Sequence, residues 1–367
     1  MAAAAGSLSA RATPPPSGGV LSWIRAELFG SWPSGVATLV LVGLCAWWLR
    51  GVLDWAVLHA VTKADLEACR AARGSGACWG AVFEKSRLVI FGRYPYEEQW
   101  RPLAATLTLL ALLIASCMRV CWSRRLALAW PAVLALFFVL MGGGVFGLAS
   151  VPTDRWGGLP LTIMLSTFSI ALAFPLSVLV ALGRRSALPA IRTLCAVYVE
   201  LVRGVPLVSV LFMASFMFPL LMPPGFSIDV LVRVLAGGTL FAAAYLAEVV
   251  RGGLQAVPNG QIEAAASLGL GYWQTQRKIV LPQALAMVVP GIMNSFIATF
   301  KDTSLVTIVS LYELTVSLGL AFDSDPEWRP YKGEGSLFIA AIYFAFCFSM
   351  SRYSLWVEKR LSRSRAR

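Results

Sequence analysis

Histidine is nearly missing: His59 is the only one in 367 residues. A multi-histidine metal centre is therefore excluded, and a histidine general base has a single candidate. The seven cysteines, Cys45, Cys69, Cys78, Cys117, Cys121, Cys195 and Cys347, include no pair at the two-residue spacing of thiolate zinc or redox motifs. There is no Gly-Lys dipeptide, so the chain lacks a phosphate loop for ATP. Charge is scarce as well, at 14% of residues against 58% hydrophobic. With a mean hydropathy of +0.71, this composition lies outside the range of soluble domains and points to several membrane spans. The apolar runs are continuous rather than alternating, which favours a helical bundle over a barrel. A net charge of +12 would suggest a nucleic-acid partner in a soluble chain. In a membrane chain it marks the cytoplasmic side instead, and no nucleic-acid partner is expected.

About 20 apolar residues cross the hydrocarbon core as a helix. Eight stretches meet that length, near 35–58, 103–121, 127–150, 158–182, 205–222, 231–250, 282–301 and 336–356. The first contains Arg50 and Asp54, four apart, which could pair on one face or reach the interface. With eight spans, Arg119, Arg124 and Arg125, then Arg184, Arg185, Arg192 and Arg203, then Arg251, Arg277 and Lys278, and the basic C-terminus all fall on one side. That side is the cytoplasm, so both termini are expected there. The opposite connectors carry Asp65, Glu67, Glu84, Glu97, Glu98, Asp154, Asp323, Asp325, Glu327 and Glu334. Residues 282–321 are apolar for long enough to cross twice. A second crossing would put the acidic 322–335 loop inside and the basic tail outside, so the charge rule selects one crossing followed by a short helix near 308–320 at the outer interface. The expected organisation is a disordered cytoplasmic tail (1–34), an N-terminal extension with three spans and a periplasmic loop at 59–101 (35–157), a five-span core (158–357) and a basic cytoplasmic tail (358–367). Cys69 and Cys78 lie in the outer loop, where an oxidising compartment would permit a disulfide or leave two thiols.

A polar island, EAAASLGLGYWQTQRKIVLPQAL (263–285), interrupts this apolar chain. Val257-Pro258-Asn259-Gly260 is turn chemistry, with Gly260 expected as the N-cap of a short helix and Glu263 as its third position. Ala264, Ala265, Ala266 and Leu268 favour helix, and Gly269 and Gly271 end it. A second piece, Tyr272 to Val280, leads to Pro282 in the first turn of the next span. Small side chains around one carboxylate suit a docking surface, and a plain helical loop accounts for the same residues.

Glu263-Ala264-Ala265, Gly269, Ile279 and Leu281-Pro282 stand at the spacings of the EAA signature, and here the chain resembles ABC-importer permeases. YVELVRGVPLVSVLF (198–212), AAYLAEVVRGGLQAVPNGQIEAA (243–265) and NSFIATFKDTSLVTIVSLYEL (294–314) are similar to the polar amino-acid branch. Phe91-Gly92-Arg93-Tyr94-Pro95 and Trp100-Arg101-Pro102 resemble the M-type permease of general L-amino acid importers. Val210 stands where many members have glutamine, which implies a broader substrate range. The resemblance implies an all-α integral membrane fold with about eight spans, a five-helix MetI-like core and three extra N-terminal helices. It also implies that Glu263 lies on a coupling helix entering a separate ATPase subunit, present in two copies, which holds ATP and Mg. A second, non-identical permease, a periplasmic amino-acid-binding protein and the inner membrane of a Gram-negative bacterium complete the picture.

Glu248 with Arg251, and Glu200 with Arg203, are spaced to pair along a helix. Asn294, Lys301, Asp302, Thr303 and Ser304 offer donors and acceptors for a zwitterion, or cap the seventh span. Two other functions compete with the ATP-coupled permease. A secondary transporter driven by an ion gradient needs mid-span acids, which are scarce here. A membrane enzyme needs a catalytic constellation, and the sequence presents none.

Overall fold

The computed structural model describes residues 20–223, 225 and 227–365. Among them, seven helices are long and apolar enough to cross a bilayer: Trp32–Leu58, Tyr96–Cys117, Arg124–Gly142, Gly158–Gly183, Val230–Ala256, Tyr272–Val309 and Arg329–Leu361. The pair Pro189–Arg203 and Leu207–Leu220, bent by 105°, makes an eighth where it is counted as one broken span. The chain divides into two compact units at Trp79/Gly80, so spans Tyr96–Cys117 and Arg124–Gly142 share one unit with the region 158–357.

In the first unit, helix α1 (Trp32–Leu53) opens at Ser31, whose hydroxyl accepts from the Ser34 amide, with a proline in its first turn. The tail was expected to be disordered to residue 34, yet residues from Val20 onward are helical. The hydroxyls of Ser34 and Thr38 donate to the Leu28 carbonyl and so satisfy that end. Residues 1–19 lie outside the described set. Asp54 faces His59 Nδ1 at 3.2 Å, and is not paired with Arg50. Cys69 and Cys78 are joined by a disulfide. Around it, Ala77 N–H donates to Trp55 O and Trp79 Nε1 donates to Ala56 O, tying the loop to the end of the span.

In the second unit a fully buried arginine ties α3 (Trp100–Cys117) to the end of α4 (Arg124–Gly142), and α2 (Trp79–Phe91) joins them through Arg87, whose Nε donates to Gln99 Oε1. Arg101 donates from Nε to Leu140 O (2.7 Å) and from Nη1 to Ala149 O (2.8 Å), with Glu98 at 3.6 Å. Tyr94 lies beneath its guanidinium and donates to Met141 O at 2.9 Å. Burial pushes the Tyr94 phenol up to about 12, so it stays a donor. The FGRYP and WRP elements thus form a clasp onto the end of α4 and the turn after it.

The centre is built from α5 (Gly158–Gly183), α8 (Val230–Ala256) and α11 (Leu281–Asp302). Small residues let the helices approach closely: a Cβ on Gly253 would fall 2.6 Å from the Ala284 carbonyl oxygen, and one on Gly291 would fall 2.9 Å from Val249. Between α5 and α8 run α6 (Pro189–Arg203) and α7 (Leu207–Phe212). The span expected at 205–222 is therefore only the second arm of the bent pair. Pro206 lacks the N–H that would continue α6, and it sets the break.

After α11 the chain runs through a 3-10 segment, Thr303–Val309, to Ser310 at φ 60. Tyr312 and Glu313 then bridge to Gly157 and Gly158 at the start of α5. Gly158 has φ +64, and a Cβ there would fall 1.9 Å from Ile90 O, so only glycine fits. The Ser317 hydroxyl accepts from Gly158 N–H, and the Thr162 hydroxyl accepts from Leu314 N–H. The short helix expected at the outer interface near 308–320 is α12 (Leu314–Asp323). It is partly a core element, because Leu314, Leu318, Ala321 and Phe322 are buried. The last helix, α13 (Lys332–Arg365), extends the final span through most of the basic tail.

Candidate functional site

The polar island is two helical pieces joined by a tight turn. The first, α9 (Asn259–Ser267), begins two residues earlier than expected: Pro258 is its N-cap rather than Gly260. Proline's fixed φ suits a helix start. Glu263 is consequently in the second turn, not at the third position, so it stands away from the positive helix end. At the other end, Gly269 has φ +74, its N–H donates to Ala266 O, and Leu270 N–H donates to Ala265 O. This is a Schellman closure, and it accounts for the glycine at that spacing.

Ala265 is buried at 1%, whereas Glu263, Ala264 and Gly269 are exposed. Ile262 packs on the cluster of Leu182, Leu254, Val257, Val280 and Ala284, which anchors the island to the ends of α5, α8 and α11. Gln283 Nε2 donates to Gln261 Oε1 (3.3 Å) and Ile279 O (3.0 Å), and Arg185 donates to Leu254 O (2.6 Å). Leu268, Tyr272 and Trp273 are also exposed, and extend the alanine surface with large apolar groups. The second piece, α10 (Tyr272–Thr275), continues through a π turn, Gln276–Val280, into α11 without a break at Leu281-Pro282. The second half of the island is thereby continuous with a span.

Beside the island is a charge cluster. Glu248 accepts from Arg251 as the spacing predicts, and Arg184 Nη1 also donates to it at 2.8 Å. Glu200 is bonded to Arg184 at 3.0 Å rather than to Arg203, which lies 4.0 Å from Glu248 and over the Tyr245 ring. The bend after α6 turns Arg203 toward α8 and frees Glu200 for α5. Arg184, the hub, was visible in the sequence only as a topological charge. Its partners are too distant along the chain for any spacing to reveal it.

Of the five residues suggested for a substrate path, the structure brings two together. Asp302 and Thr303 line a cavity of about 40 Å³, with Ser169, Thr299, Leu165 and Phe241 among the other walls. Lys301 and Asn294 are exposed and do not line it, nor does Ser304, whose hydroxyl donates back to Lys301 O. Ser169 and Thr299 were missed because their helices meet only in the folded bundle. This space is far below the ~300 Å³ of a small-molecule site, too small for an amino acid in this structure.

Comparison with known proteins gives three findings. The family model described as a binding-protein-dependent transport system inner membrane component matches residues 173–363. YhdY of Escherichia coli (strain K12), an inner membrane amino-acid ABC transporter permease protein, is 46% identical over 94% of this chain and 93% of its own. BztC of Rhodobacter capsulatus, a glutamate/glutamine/aspartate/asparagine transport system permease protein, is 35% identical over 97% of each chain. A crystal structure of an amino acid ABC transporter with histidines is 27% identical over 55% of this chain and 90% of that one, with a TM-score of 0.48.

Proposed function

Because this chain belongs to the binding-protein-dependent transport system inner membrane component family, we propose that it is the permease subunit of an ATP-driven importer of L-amino acids. The observation that carries this reading is the island: an exposed acid and alanine surface, closed at Gly269 and continuous with a span, on a chain without a phosphate loop. ATP and Mg would be bound by two copies of a separate ATPase subunit. Glu263 offers a carboxylate to an arginine of that subunit, with Ala264 and Gly269 leaving the backbone open to its cleft. Ala265, Ile279, Leu281 and Pro282 hold the island in place. Closure of the ATPase pair would shift the island and α11 with it, and rocking spans would alternate access to the path.

The relatives' names support amino acids as the substrate class. The Asp302 carboxylate and the hydroxyls around it suit an ammonium group. A second, non-identical permease and a periplasmic binding protein would complete the complex in a Gram-negative inner membrane. The eight-span count and the basic inner connectors support cytoplasmic termini.

The test is uptake of labelled amino acids by vesicles holding the whole complex. Uptake should stop when internal ATP is removed while a proton or sodium gradient is kept. Persistence under those conditions would favour the ion-coupled transporter instead. In the same assay Asp302→Asn should lower uptake about tenfold, the equivalent of one lost charge-assisted hydrogen bond of about 1.5 kcal/mol. Wild-type uptake by that variant would remove Asp302 from the path.

A further inference from the structure

The helix α6 has three distinct sides. Cys195 and Val199 face the bundle: a Cβ on Gly183 would fall 2.5 Å from Cys195 Sγ, and Val199 clusters with Val180 and Ala247. Glu200 points the other way from Tyr198 on the helix, and the two reach opposite levels of the fold. Glu200 bonds to Arg184 just past the inner end of α5, whereas the Tyr198 hydroxyl donates to Leu240 O, about two turns of α8 outward of Glu248. A helix whose two faces reach different depths while its length stays beside one level of α5 and α8 lies across the bundle, not along it. The 105° bend before Leu207 agrees.

The third side is apolar and exposed. Leu194, Val197 and Leu201 form a stripe at helical spacing, preceded by exposed Leu188, and Leu194 is 71% accessible. Arg192 and Arg203 lie on this helix, with Arg184 and Arg185 at the end of α5 and Arg251 on α8 beside it. Arg184, Arg203 and Arg251 lie within 4.0 Å of Glu200 or Glu248, Arg192 is exposed, and five arginines thus meet two acids. An apolar side, a basic rim and an in-plane axis are the features of an interfacial helix. We propose that α6 is a binding surface for the cytoplasmic leaflet, with its Leu194 stripe among the acyl chains and its arginine rim on anionic phospholipid headgroups. Charge selects this occupant: the excess of arginines complements an anionic surface. Because Glu200 and Arg203 share the Arg184 and Glu248 cluster beside the island, headgroup binding would also bear on that cluster.

The experiment places a benzophenone amino acid at Leu194 in the full complex, reconstituted in nanodiscs of phosphatidylcholine with or without phosphatidylglycerol. Photolysis should give lipid adducts, with phosphatidylglycerol enriched over its mole fraction. Arg192→Gln should reduce that enrichment about fivefold, the share of one arginine near an anionic surface. Adducts to a protein chain would overturn the proposal in favour of a subunit contact. Lipid adducts without headgroup preference would overturn the role of the arginine rim. Circular dichroism of each variant checks that the helical fold is kept.

Discussion

Glu313 is wholly buried, yet nothing in the sequence distinguishes it from the acids of the outer connectors. It caps α12 by accepting from the Thr315 and Val316 amides, and accepts from the Tyr343 hydroxyl at 3.1 Å. Burial pushes its carboxyl above the ordinary range, and these hydrogen bonds offset part of that rise. A carboxyl raised on folding lends stability that is complete below its unfolded value and is lost as pH rises through the folded one. The wild-type chain in detergent should therefore lose thermal stability as pH climbs from the ordinary glutamate range, and Glu313→Gln should flatten that slope. An unchanged profile would mean that Glu313 does not titrate in the fold. Local signals of this kind were legible only where backbone chemistry forced them. Gly269 announced its left-handed turn, whereas Gly158 and Arg101 owe their roles to carbonyls distant in sequence.

The island shows how far local reasoning reaches at the scale of an element. Alanine propensity and the glycine stop defined α9, because both act within a few residues. The helix start was misjudged by two residues, since Pro258 and Gly260 both suit a turn and only the fold decides between them. Of helix α6 the sequence showed only the Glu200 and Arg203 spacing along a helix; its apolar stripe is too short for a span, and the break at Pro206 separates it from the arm that follows. The Schellman closure has a measurable consequence. Gly269→Val forces a β-branched residue to positive φ, at a cost of about 1–2 kcal/mol. The ratio of closed to open island should then fall roughly five- to thirtyfold. ATP-driven uptake should fall, by at most that factor, while the amount of chain in the membrane stays constant. Full uptake would show that the turn at Gly269 is not needed for coupling.

At the scale of the whole molecule, composition was enough to find the helices able to cross a bilayer, seven or, with the bent pair as one span, eight among the described residues, because the bilayer restricts spanning structure so strongly. It could not find the cavity, which needs Ser169 from α5 and Thr299 from α11 in one place. Nor could it show that the helices after Gly80 pack with the core, where Ala105, Leu109 and Phe137 share one cluster with Leu161, Ile163 and Phe168. The account depends most on the island as the point where another subunit's work enters the spans. Its most direct test replaces Glu263 with arginine in the assembled complex and measures ATP hydrolysis and amino-acid uptake in the same vesicles. The predicted result is normal insertion with hydrolysis no longer driving uptake. Uptake coupled to hydrolysis at the wild-type ratio would contradict it.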